Sequence, residues 1–279
     1  VRAGNCNVHF QQAVDVVGEA AVDAIVEERN LRGEYADIFD FVSRINVRQV
    51  NKKSLESLAL AGAFDCFTDI QRAQFFAVDN EGISFIEKIV RYSAKISELK
   101  VAATQSLFGE LGAGTGNDIS MPKVPISAPW SVMEQLKNEK EVVGVYISGH
   151  PLDEYKIEIQ NFCNSNTGLL ESRPNIVQSF AGIVTKINVR TSGNGNQFMI
   201  FTLEDYAGNY ELALFAKDFI QFERFIAQDR LLFIQGSYQL KNKHTDQMVF
   251  KIQSIELLTE ILEERTKELR LRLNLSYLK

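Results

Sequence analysis

Apolar positions recur at i, i+3 and i+4 through the first part of the chain and at every second residue through the last part, so periodicity alone separates a helical region from a strand-built one. Between Val16 and about Leu99, stripes such as Val22, Ile25, Val26 and Ile38, Phe41, Val42, Ile45 predict several amphipathic helices. Polar breaks at Gly33, Asn46 to Asn51 and Gly62 make these helices short and paired. A further helix through Ile86, Ile89, Val90 and Ile96 leads to Leu107 and Phe108. Residues 109–129, rich in Gly, Pro, Ser and Thr, carry no period and predict a flexible linker between two folding units. Helical spacing returns from Trp130 to Lys140, with Met133 and Leu136 facing inward, and Pro151 closes the segment that follows.

From Phe180 onward the period is two. Ile183, Thr185, Ile187 and Val189 alternate with Val184, Lys186, Asn188 and Arg190, and the loop Thr191 to Asn196 ends this strand. Gln197 to Leu203 and Tyr210 to Phe215 predict two more strands around a turn at Asp205 to Asn209. Ala216 to Ile226 has helical spacing, and Arg230 to Tyr238 and Met248 to Ile255 return to strand character. Three strands, a helix and two strands is the order of a five-stranded OB-fold barrel. Glu256 to Leu271 predicts a charged exit helix.

Composition narrows the functional classes. The chain has 279 residues and 45% apolar content, enough for two or three domains. A net charge of −6 argues against a protein that coats nucleic acid, so any contact with phosphates must be local. Cys6, Cys66 and Cys163 lie far apart and away from His9, His150 and His244, which disfavours structural zinc and a disulfide framework. The cysteines are expected to be small core residues in a reducing cytoplasm. No apolar run approaches the roughly 18 residues of a membrane span, and no signal peptide is evident, so no membrane partner is expected. A chain that starts at Val1 reads as a piece of something longer.

Three groups of residues carry candidate chemistry. Val16-Val17-Gly18-Glu19, between helical stretches, has the form of a helix-hairpin-helix turn, in which Gly18 lets backbone N–H groups reach a DNA phosphate. Val16 stands where such turns place their first glycine, and the plainer alternative is that Gly18 only starts the next helix. Lys52 and Lys53 open a second helix whose buried stripe is Leu55, Leu58 and Ala59; they are either phosphate contacts or a solvated face. On the barrel, Lys186, Arg190, Phe198, Lys241 and Lys243 are candidate single-strand contacts, the last two lysines in the loop Gln239 to Asp246. Phe198 projects opposite Met199, Phe201 and Leu203, either to stack on a base or to pack under a neighbouring element. His150, before Pro151 in a turn, reads as structural.

Four strings make a specific resemblance: GEAAVDAIVEER from Gly18, VNKKSLESLALAGAFD from Val50, KEVVGVYISGHPLD from Lys140, and GIVTKINVRTSGNGNQFMIFTLEDYAGNYELALF from Gly182. In this order they resemble the alpha subunit of bacterial DNA polymerase III, a replicative C-family polymerase, from about Gly18 to Leu258. The resemblance implies the region after the polymerase fingers, where helix-hairpin-helix elements hold duplex DNA, a short peptide binds the sliding clamp, and an OB domain lies near single-stranded template. Gln105, Leu107 and Phe108 resemble the clamp-binding peptide, with the glutamine one residue closer to Leu-Phe than is usual. Leu107 and Phe108 alone could as easily cap the preceding helix, but the linker that follows at once favours an exposed ligand over a core pair.

The expected architecture is therefore multidomain, α followed by all-β. It comprises a helix-hairpin-helix region at 1–108, a linker at 109–129, a connecting helical segment at 130–174, an OB fold at 175–258 and an exit helix at 259–279. The resemblance places the catalytic palm and its metal-binding aspartates upstream, and the chain contains no Asp-x-Asp pair. It is expected to lack polymerase activity and to need no cofactor, the Mg2+ belonging to the parent nucleotidyltransferase. Expected partners are duplex and single-stranded DNA, the sliding clamp and other replicase subunits. The alternative is a free-standing OB-fold protein that binds single-stranded nucleic acid. A hydrolase is disfavoured because no nucleophile, base and orienting group fall into a recognisable arrangement.

Overall fold

The structure is a computed structural model that describes residues 17–45, 49–106, 120–171, 173–193, 195–242 and 245–268, without the side chains of 102–106, 241–242 and 245–247. The chain divides into two compact units, Val1–Gly149 and His150–Lys279.

The first unit contains α1 (Glu19–Arg32), α2 (Ile38–Arg44), α3 (Lys52–Leu60), α4 (Arg72–Phe76), α5 (Phe85–Ser106) and α6 (Val132–Val143). Short polar side chains start several of them. Asp37 Oδ1 accepts from the N–H groups of Phe39 and Asp40 at 2.8 and 2.7 Å, and Asn51 Oδ1 from Ser54 N–H at 3.0 Å. Gly144, left-handed at φ 84°, ends α6. The apolar stripes meet in one core around Ile25, Phe41, Leu58, Phe85 and Ile89, with Phe41 and Phe64 edge to face at 5.2 Å. Arg44 locks α2 to the turn after α1, donating to Gly33 O at 2.9 Å and Glu28 Oε1 at 3.2 Å beneath the Tyr35 ring.

The compact unit extends past the linker expected at 109–129. Residues 120–131 lack regular structure, yet Val124 packs on the helical core, Gln74 donates to Pro125 O at 2.7 Å, and Trp130 stacks on Phe76 at 5.4 Å. A run of Gly, Pro and Ser signals absent periodicity, which is a different property from absent packing. Farther on, Arg72 Nη1 donates to Glu139 Oε1 at 2.7 Å and Arg72 Nη2 to Asp65 Oδ2 at 2.6 Å. Glu139 also accepts from Ile147 N–H and Ser148 N–H, both at 2.9 Å, so this fully buried carboxylate ties α4, α6 and the loop after α6 together. The connecting segment expected at 130–174 is consequently divided between the two units at Gly149.

The second unit starts with a 3-10 turn at Asp153–Tyr155 and α7 (Lys156–Phe162). A five-stranded antiparallel sheet follows: β1 (Val177–Thr191), β2 (Gln197–Asp205), β3 (Gly208–Phe215), β4 (Leu231–Asn242) and β5 (Thr245–Leu257). Between β3 and β4 lies α8 (Ala216–Phe222). The spatial order β3-β2-β1-β4-β5 is that of an OB fold opened between its third and fifth strands. Strand β1 serves both halves: its first part pairs with β4 from Val177↔Ser237 to Ile183↔Leu231, and its second with β2 up to Thr191↔Gln197.

A bulge between Val184 and Lys186 makes this double use possible and corrects the single alternation expected across β1. Phe180 and Val184 point into the barrel core before it and Ile187 after it, while Ile183 is buried outside that cluster. A Cβ at Gly182 would stand 2.6 Å from Glu204 O and 2.7 Å from Leu203 Cγ. Gly182→Ala is therefore expected to destabilise the barrel by about 1–3 kcal/mol through overpacking, and a thermal melt followed by far-UV circular dichroism would reveal it. An unchanged transition would argue against the close strand approach.

Three further expectations change. The loop expected at Gln239 to Asp246 is mostly strand, because β4 runs to Asn242 and β5 starts at Thr245. The charged exit helix is shorter: β5 continues to Leu257, and α9 spans only Ile261–Arg265, where Arg265 Nε donates to Glu256 Oε2 at 3.0 Å. Finally, Cys66 is surface-exposed and disulfide-bonded, whereas Cys163 is a half-buried thiol that burial pushes up to about 12.

Candidate nucleic-acid interface

In the first unit, the hairpin residues divide between packing and exposure. Val17 is buried in the helical core and anchors the turn. Gly18 is exposed at φ +91°, a conformation that disfavours any residue with a Cβ, and nothing lies within 4 Å of where a Cβ would stand. Its carbonyl accepts from Ala21 and Val22 N–H at 3.1 and 3.2 Å, and no side chain caps the start of α1. Among the described residues no side chain meets the Glu19 and Ala20 N–H groups that precede these bonds, although the Glu19 carboxylate in the same turn opposes an anion.

Lys52 and Lys53, both exposed at the start of α3, differ in their partners. Lys52 Nζ lies 3.3 Å from Glu87 Oε2 and 3.9 Å from Glu56 Oε1, whereas Lys53 makes no ion pair among the described residues. Lys53 is the more available cation. Gln105 falls in the last turn of α5 rather than in an extended peptide, while Leu107 and Phe108 lie outside the described residues.

In the second unit, strand register assembles a face from residues scattered in the sequence. Arg190 pairs with Phe198 and Phe198 with Phe215; Asn188 pairs with Ile200 and Ile200 with Ala213; Lys186 pairs with Thr202 and Thr202 with Glu211. Met199, Phe201, Leu203, Leu212 and Leu214 fill the opposite, buried face. The rings of Phe198 and Phe215 stack at 5.4 Å with an interplanar angle of 21°, and Phe215 is 54% exposed. Lys186 and Arg190 are exposed beside them. Phe215 went unnoticed in the sequence, since it reads there only as the end of a strand. Its alternation with Leu214 carried the signal, but its neighbour depends on register. The Lys241 side chain and all of Lys243 lie outside the described residues.

Near the β2–β3 turn, His150 and Asp153 form a structural clasp. Asp153 accepts from His150 N–H at 2.7 Å, Tyr206 O–H at 2.9 Å and Lys156 Nζ at 3.0 Å, and the His150 and Tyr206 rings lie 4.4 Å apart. The His150 amide, then Lys156 and Tyr206, hold the Asp153 carboxyl down to about 2. His150 Nδ1 accepts from Leu152 N–H at 3.2 Å, as a histidine that shapes a turn would. Among the described residues no group of three or more His, Cys, Asp or Glu side chains is arranged to hold a metal ion, and no helix is long and apolar enough to cross a membrane.

A family model described as a helix-hairpin-helix motif matches residues 12–75. The DNA polymerase III subunit alpha of Vibrio cholerae is 30% identical over 227 residues, which cover 80% of this chain and 19% of that protein. The Pseudomonas aeruginosa protein of the same name is 27% identical over 96% of this chain and 23% of its own length. Over most of its length this chain is similar in sequence to the DNA polymerase III alpha subunit. It spans about a fifth of the length of the curated relatives it matches. A solved mitochondrial single-stranded DNA binding protein from S. cerevisiae is 16% identical, covering 29% of this chain and 92% of its own, with a TM-score of 0.23. The barrel assignment rests on strand order and register. Two of the strings through which the chain resembles the polymerase III alpha subunit, the one ending at Asp65 and the one containing Ile147 and Ser148, meet at Arg72 and Glu139.

Proposed function

We propose that this chain is a DNA-holding part of a bacterial replicative polymerase, positioning duplex and single-stranded DNA while bond-making occurs on other residues of the whole protein. The observation that carries the reading is the row Arg190, Phe198, Phe215: two stacked rings beside a cation, on the solvated side of a sheet whose other side is core. Aromatic rings left at a surface favour a flat apolar partner, and a nucleobase supplies one at about 1–3 kcal/mol per base. Lys186, Lys241 and Lys243 add charge for the strand's phosphates. In the helical unit, the Glu19 and Ala20 N–H groups after Gly18 and the ammonium groups of Lys52 and Lys53 suit backbone contact without base readout, with Val17 fixing the turn.

In this reading Gln105, Leu107 and Phe108 engage the sliding clamp, other replicase subunits complete the assembly in the cytoplasm, and Mg2+ serves the polymerase active site elsewhere. With a net charge of −6, the chain relies on local patches, and clamp tethering would raise the effective concentration of DNA around them. The free-standing single-strand binder remains a specific rival, because Glu19 and the pairing of Lys52 weaken the duplex surface.

Equilibrium binding to a primed duplex, a DNA single strand and a matching RNA separates the two readings. The polymerase reading expects both DNA forms to bind. Lys52→Ala with Lys53→Ala should weaken the duplex complex and lower its log–log salt slope by up to about 0.9 for each phosphate no longer neutralised, leaving single-strand binding unchanged. Binding confined to single strands would favour the rival, and binding to none would defeat both.

A further inference from the structure

The sheet of the second unit does not close. Among the described residues no ladder joins β3 to β5, so each carries an edge of backbone N–H and C=O groups unpaired by a neighbouring strand. A cleft of about 620 Å³ lies between these edges, within the range of ligand-binding sites. Its floor is apolar, since Tyr210, Leu212, Phe250 and Ile252 belong to the barrel core or pack on it. Its margin is acidic, with Glu171, Glu211 and Asp218 against Lys251. Glu171 is held there by the Tyr210 hydroxyl, which donates to Oε1 at 3.3 Å.

The cleft shares Phe215 and Glu211 with the solvated face of β3, but its three carboxylates against one ammonium repel a phosphate chain. Unpaired strand edges are instead matched by another strand, whose side chains alternate between two faces. An occupant seated here would present one set of side chains to the apolar floor and the other to the carboxylates. We infer that the β3–β5 seam is a docking site for an extended segment of a partner protein that alternates apolar and basic residues and joins the barrel as a sixth strand. The inference does not rest on the nucleic-acid reading, although Phe215 belongs both to the cleft lining and to the stacked pair.

The test titrates the full chain with a fluorescent Lys-Val-Lys-Val-Lys-Val-Lys peptide, a Glu-Val counterpart and an oligothymidine of about 15 nucleotides. The Lys-Val peptide should bind saturably and at least about tenfold more tightly than the Glu-Val peptide. Glu211→Lys combined with Asp218→Lys should weaken it at least about fivefold. Should that variant fail to fold, hydrogen exchange on the unaltered chain decides: bound peptide should slow the amides of residues 210–214 and 249–252. Absence of saturable binding, equal affinity for both peptides, displacement of peptide by oligothymidine, or protection elsewhere would overturn the proposal. A dimer by sedimentation with the seam already protected would also overturn it, in favour of a second copy as the occupant.

Discussion

Arg72→Met is expected to destabilise the helical unit by about 3–5 kcal/mol, the cost of stranding one member of a buried ion pair. The Glu139 side chain is fully buried and Arg72 is 7% exposed, so neither charge has water to fall back on. Removing the guanidinium leaves Glu139 with only the N–H groups of Ile147 and Ser148 and the Ser148 hydroxyl. Methionine retains most of the volume, so the loss would report charge rather than a cavity. Asp65, the other partner, is about half-exposed, and its removal should cost less. Gly62 belongs to the same arrangement, because a Cβ there would stand 2.1 Å from Arg72 Nη2 at a backbone φ of +78°.

The same pair makes stability depend on pH. Burial alone would push the Glu139 carboxyl up, but hydrogen bonds from Ser148, Arg72 and Ile147 outweigh it and hold the group below its usual range. A depressed folded-state value means the contribution is present above the unfolded carboxylate value of about 4.3 and is lost as pH falls through the folded one. Trp130 is the only tryptophan and lies against Phe76 in this unit, so urea denaturation followed by its fluorescence reads the helical unit. A loss below about 1 kcal/mol in Arg72→Met would show that the network is not the buried ion pair described.

Phe198→Ala combined with Phe215→Ala is expected to reduce affinity for single-stranded DNA about ten- to a hundredfold while leaving the fold intact. The two rings stack on each other and so offer one platform, matching one base at about 1–3 kcal/mol. With every 1.4 kcal/mol worth about tenfold, that range follows directly. Both side chains project away from Leu212, Leu214, Met199 and Phe201, so truncation removes little core packing. Arg190→Ala, in the same row, should instead flatten the salt dependence. Fluorescence anisotropy with a labelled oligothymidine measures both effects. Unaltered affinity in the double variant, with an unaltered circular dichroism spectrum, would remove the barrel face from the proposed interface.

Local features of this chain were legible before any coordinates. The i, i+3, i+4 stripes located α1, α2 and α3, the turn residues divided them, and the order of strands and helix identified the barrel. These follow from the backbone repeat of each element, which any window of a dozen residues records. Glu139 offered a partial clue: it lies three residues beyond Leu136 on the inward stripe of α6, where a carboxylate needs a partner.

Nothing local names that partner, because Arg72 is 67 positions away. Register likewise brought Phe215 beside Phe198, and the Val184–Lys186 bulge reset the phase of β1 where the strand passes from β4 to β2. The boundary at Gly149 came from the packing of α6 and the segment before it, in a stretch whose composition suggested separation. The amino-acid order thus determined which elements form and which side of each is apolar, through short-range sterics and periodic burial. Tertiary structure alone decided which charges share a buried site, which rings share a surface and which strand edges stay open, since those energies depend on distances between residues remote in the chain.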